Sequence, residues 1–122
     1  MAKYSKRSAP TRAAASPTKA LDAALADHQP VWLLVHSTMC LPCKEMEKIS
    51  AELKPEFRGK VEFISAIVDD SEAQDIVKKY EIELIPTSFL IDADGKVVEK
   101  KVGAIPKSEL RKKLLKLAEA GR

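Results

Sequence analysis

An unbroken apolar run, Val31-Trp32-Leu33-Leu34-Val35, is followed five residues later by the first of the chain's only two cysteines, Cys40 and Cys43. A strand with one face in water alternates apolar and polar residues. A run without alternation predicts a strand covered on both faces, in the middle of a sheet. With 122 residues and 45% hydrophobic content, the chain has material for one such covered sheet and too little length for two domains. Aromatic residues are only 5% of it, so aliphatic side chains must build the core. No stretch approaches the roughly 20 apolar residues that cross a bilayer, and no membrane span is expected.

Around that strand the pattern alternates. Ser16-Pro17 reads as an N-cap followed by proline at the first helical position, with Leu21, Ala24, Leu25 and His28 on one face and Pro30 as the stop. After Cys43, the residues Met46, Ile49 and Leu53 form one stripe of a second helix, stopped by Pro55 or Gly59. The segment from Val61 to Val68 is the next strand, closed by Asp69-Asp70. Ser71-Glu72-Ala73-Gln74 has the form of a capping box ahead of a helical face at Ala73, Ile76, Val77 and Tyr80. Strand, helix, strand, helix predicts a βαβ unit with a parallel pair.

The order then changes. Residues Thr87 to Ile91 and Lys96 to Val102 flank Asp92-Ala93-Asp94-Gly95, whose Asp-Gly step predicts a hairpin. The second arm carries Lys96, Lys100 and Lys101, as an edge strand does to discourage pairing with other chains. Gly103 breaks it, and a last amphipathic helix starts near Pro106 with Leu110, Leu114 and Leu117 inward.

The net charge of +3 is unevenly spread. Residues 1–20 carry Lys3, Lys6, Arg7, Arg12 and Lys19 with no acid, which leaves 16 basic and 18 acidic side chains for the rest. The body is not basic, and no nucleic-acid partner is expected. Residues 1–16 show no hydrophobic periodicity and are expected to be a flexible basic arm, ahead of one domain over 17–122. They lack the apolar core of a secretory signal. Two cysteines in a single Cys-x-x-Cys fit a cytoplasmic redox motif better than a secreted disulfide framework; an extracytoplasmic protein with its leader removed is the alternative.

Two thiols at this spacing can close on each other. A helix beginning at Cys40 would aim unpaired N–H groups and the positive end of its dipole at the first sulfur, which favours the thiolate. Such a setting lowers a thiol pKa from about 8.5 into a range of about 3.5 to 7.5. Cys40, nearer solvent, is then the expected nucleophile and Cys43, one turn further in, the resolving thiol. Pro42 fixes the backbone between them where no N–H is needed. Met39 and Leu41 would frame the exposed sulfur with an apolar rim. The competing reading is a zinc site built from Cys40, Cys43, His36 and His28, in which Pro42 would have no use.

In this order the chain resembles the thioredoxin-like superfamily, over about residues 18–120. The resemblance rests on Cys40-Leu41-Pro42-Cys43 after a buried strand, Ile85-Pro86-Thr87 at the entry to the hairpin, and Val102-Gly103-Ala104 between the last strand and helix. It implies an α/β fold, with a mixed sheet of four to five strands flanked by helices and the Cys-x-x-Cys at a helix N-terminus. It implies a thiol:disulfide oxidoreductase without cofactor, expected to be a monomer and a reductant, whose partners are protein disulfides and a redox partner such as a reductase. It also implies a cis bond before Pro86, which would lie against the sulfurs, with the Ile85 backbone binding an extended substrate segment.

The chain departs from that pattern too. Thioredoxins carry a buried aspartate six residues before the first cysteine, where this chain has Leu34, and the lysine of the neighbouring strand corresponds to Ser65. Proton handling must then come from water, from Glu47 or from His36, an imidazole four residues before Cys40 that would modulate the Cys40 pKa when protonated. Glu47 otherwise reads as part of a solvated helix face, and His28 as dipole or capping chemistry at a helix end.

Overall fold

The computed structural model describes residues 16–120. Except for Ser16, the arm expected over residues 1–16 lies outside them, as does Gly121. The elements run α1 (Pro17–Ala26), β1 (Val31–His36), α2 (Leu41–Leu53), β2 (Glu62–Ile67), a 3-10 turn (Ser71–Ala73), α3 (Gln74–Lys79), β3 (Thr87–Ile91), β4 (Val97–Val102) and α4 (Lys107–Ala120). The four strands form one sheet in the order β2-β1-β3-β4. β1 pairs parallel with β2 and antiparallel with β3, and β3 pairs antiparallel with β4. This is the mixed α/β sheet of the thioredoxin fold.

Every residue of β1 is buried, and the two faces of the strand explain why. Trp32 and Leu34 pack against Met46, Ile49 and Leu53 of α2 and Leu110, Leu114 and Leu117 of α4. Val31, Leu33 and Val35 turn the other way, onto Ala20, Leu21 and Ala24 of α1 and Ile76 of α3. The period of two in a strand thus divides one apolar run between two clusters. β4 is an edge strand and largely exposed, with Lys100 and Lys101 on it and Lys96 just before it.

Local signals set the turns. The Ser16 side chain accepts from the Lys19 N–H, capping α1 as its sequence predicts. In the hairpin, Asp92 Oδ1 accepts from the N–H groups of Asp94 and Lys96, and Gly95 sits at φ 86°. Two expectations fail. α1 ends at Ala26, so His28 is not on its face but beyond it at φ 56°, with its Nδ1 3.3 Å from the Ala93 carbonyl oxygen. The expected Ser71–Gln74 capping box does not form either. Asp70 caps the 3-10 turn by accepting from the Glu72 N–H, while the Gln74 amide donates to the carbonyls of Val68 and Asp70. An aspartate one residue earlier is an equally good cap, and its carboxylate adds a negative charge at the start of the turn.

Candidate active site

β1 ends at His36, and the chain turns through residues 37–40 into α2. Cys40 is the N-cap of α2, extended at φ −114° and ψ 126°, and its carbonyl accepts the first helical bond from the Lys44 N–H at 3.1 Å. Pro42 stands in the first turn, where an N–H would have no intrahelical partner. The turn is tied down by Ser37, whose Oγ accepts from the Met39 N–H at 3.1 Å and whose own N–H donates to Cys43 Sγ at 3.5 Å.

The two thiols have different surroundings. Cys40 is partly open to solvent, whereas Cys43 is 0% exposed. Burial pushes the Cys43 thiol up from 9.0 to about 11, and the hydrogen bond between the two thiols and the charges of Cys40 and Glu47 act in the same direction. Only the Ser37 N–H opposes them. At neutral pH the Cys43 sulfur therefore keeps its proton.

A second loop closes on the same end of β1. The Ile85–Pro86 peptide is cis. Thr87 pairs with Val35, so residues 84–86 run past the end of the β1–β3 pairing, alongside the turn that leads to Cys40. Pro86 is buried and Ile85 half-buried. The Gly103 N–H donates to the Pro86 carbonyl at 2.7 Å, and the Thr87 hydroxyl donates to the Leu84 carbonyl. Gly103 has φ 95°, a conformation open to glycine and strained for other residues. The three sequence matches of the resemblance thus meet at one end of the sheet. Around them Met39 is 88%, Leu41 80% and Leu84 62% exposed, an unusual display of large apolar side chains. Leu84 carried no signal of its own in the sequence.

Behind the sulfurs lies a polar cluster. His36 is 3% exposed, and its Nε2 is hydrogen-bonded to Ser65 Oγ of β2. Its Nδ1 lies 3.3 Å from Glu47 Oε2 of α2, at ion-pairing distance but without hydrogen-bond alignment. Glu47 is therefore more than a solvated helix residue. The zinc alternative loses its fourth ligand, because His28 precedes β1 and bonds Ala93 while His36 closes the strand, roughly 16 Å away along it. Among the described residues, no group of three or more His, Cys, Asp or Glu is arranged to hold a metal ion. No helix among them is long and apolar enough to cross a membrane.

A mixed sheet with a Cys-x-x-Cys at the helix after its central strand, and a cis proline at the same end of the sheet, defines a class of thiol:disulfide exchange proteins. Comparison agrees: residues 13–116 match the family model described as thioredoxin. The chain is 40% identical over 81 residues to the thioredoxin of Haemophilus influenzae, a match covering 66% of this chain and 73% of that one. It is 34% identical over 108 residues to the thiol-disulfide oxidoreductase ResA of Bacillus cereus, covering 71% of this chain and 62% of the relative. The crystal structure of thioredoxin NaTrxh from Nicotiana alata matches with a TM-score of 0.69 at 30% identity, over 82% of this chain and 83% of that one. The chain belongs to the thioredoxin family, and it is a thiol:disulfide oxidoreductase with Cys40 and Cys43 as its redox pair.

Proposed function

We propose that the protein reduces disulfides of protein substrates, with Cys40 as the attacking sulfur and Cys43 as the resolving one. The observation that carries the assignment is the contrast in burial: only Cys40 can be reached from solvent, while Cys43 is fully enclosed. Cys40 Sγ would attack the substrate disulfide, forming a mixed disulfide and releasing one substrate thiolate. Cys43 would then attack Cys40 Sγ, closing the pair and releasing the second. The exposed Met39, Leu41 and Leu84 suit an extended, apolar segment of another protein better than a small charged thiol. The Ile85 backbone beside Pro86 and the Leu41-Pro42 step would line the same surface. A redox partner must return electrons to the pair, and a reducing setting such as the cytoplasm fits a chain whose only cysteines are these two.

Dithiothreitol-driven reduction of insulin tests the assignment. Cys40→Ser is expected to lower turnover to the uncatalysed rate. Substantial reduction by that variant would refute it.

A further inference from the structure

Closing the Cys40–Cys43 disulfide requires the buried Cys43 thiol to lose a proton that its surroundings hold up to about 11. On β1, at the position where the resemblance would put an acid, Leu34 lies inside an apolar cluster. Two residues on, and on the same face by the period of the strand, stands His36. Its ring is enclosed between β1, β2 and α2, with one nitrogen on Ser65 and the other beside Glu47. In the tautomer where the Ser65 hydroxyl donates to Nε2, Nδ1 carries the ring proton, 3.3 Å from the carboxylate oxygen. Glu47 follows Cys43 by four residues on α2, so both side chains lie on one side of the helix. Its charge acts on Cys43, and its side chain is 46% exposed, so a proton taken there can leave to solvent.

We propose that Glu47, oriented by His36 and Ser65, accepts the Cys43 proton in the resolving step, supplying from α2 the acid that β1 lacks. This rests on Cys43 being the resolving thiol. As Cys43 Sγ bonds to Cys40 Sγ, the Cys43 S–H bond breaks and its proton passes to the Glu47 carboxylate, directly or across one solvent molecule. The bond between Cys40 and the substrate breaks, and its electron pair leaves on the substrate sulfur as a thiolate. The pair is oxidised to a disulfide, the substrate disulfide is reduced to two thiols, and solvent returns the proton balance. His36 and Ser65 are positioning residues: they touch neither sulfur in the reaction and set where the carboxylate stands.

Dithiobis(nitrobenzoate) separates the two steps, because attack by Cys40 releases one coloured thiolate and resolution by Cys43 the second. In Glu47→Gln, which keeps size and an exposed helix position, the first release should stay within about twofold of wild type. The second should slow by about a hundredfold or more near neutral pH, the lower end of what a positioned base contributes. The deficit should close as pH approaches about 11, where Cys43 ionises unaided. Glu47→Asp should recover part of the rate, and Ser65→Ala should slow only the second release, by a smaller factor. A second release that is unchanged in Glu47→Gln, slowed equally with the first, or slowed equally at every pH overturns the proposal. A wild-type protein that gives one release and never the second removes the resolving role of Cys43, and this inference with it.

Discussion

At the residue scale the site depends on Cys43 being enclosed while its neighbour is not. The folded chain ionises Cys43 near about 11 and the unfolded chain near the ordinary 9.0. Between those values the folded state holds a proton that the unfolded state has lost. This contribution to stability is whole below about pH 9 and drains away as pH rises to about 11. Denaturant unfolding of the reduced protein should therefore show stability falling across that window more steeply than in Cys43→Ser. Parallel slopes for the two proteins would mean that Cys43 is not buried as described. The cysteine pair was legible in the sequence because its spacing is local. The partners of His36 were not, since Ser65 is 29 residues away and reaches the ring only through the parallel register that sets Leu34 opposite Ser65. Glu47 stands in the sequence beside water and His36 as a candidate proton handler, but it otherwise reads as a solvated helix charge, because nothing in α2 alone shows that its neighbour across the interface is an imidazole.

At the scale of elements, β1 orders the rest. Its alternate residues anchor α2 and α4 on one face of the sheet and α1 and α3 on the other, and its end delivers the chain to the N-cap at Cys40. Helices and strands were legible wherever apolar period and stop signal agreed, as in α2, β3 and α4. Where two polar residues compete for one cap, sequence alone chose wrongly: Asp70 took the role expected of Ser71. The β3–β4 hairpin shows the opposite case, with the turn chemistry readable from Asp92 to Gly95. Gly95 holds φ 86°, and a Cβ there would meet only Leu25, at an ordinary 3.7 Å, so a side chain at this position brings backbone strain rather than a clash. Gly95→Ala should cost about 1–2 kcal/mol, with insulin reduction at ambient temperature unchanged because the turn is at the far end of β3 from Pro86. Thermal or denaturant unfolding measures the first, and a loss below about 0.3 kcal/mol would contradict the left-handed turn.

For the whole molecule, three segments far apart in sequence converge at one end of the sheet: the Cys40–Cys43 turn, the loop carrying cis Pro86, and the Gly103 turn that holds the Pro86 carbonyl. The sequence pattern carried their order. Their meeting follows from β1 pairing with β3 in the register that sets Val35 against Thr87. The exposed Met39, Leu41 and Leu84 near the one solvent-reachable thiol suit that end to the proposed capture of another chain through a covalent intermediate. The measurement that tests this most directly is mass spectrometry of Cys43→Ser after incubation with a disulfide-containing protein substrate. A one-to-one adduct linked through Cys40, released by dithiothreitol and missing from the Cys40→Ser/Cys43→Ser double variant, is the predicted result. An adduct that forms without Cys40, or no adduct from a folded Cys43→Ser protein, would contradict it.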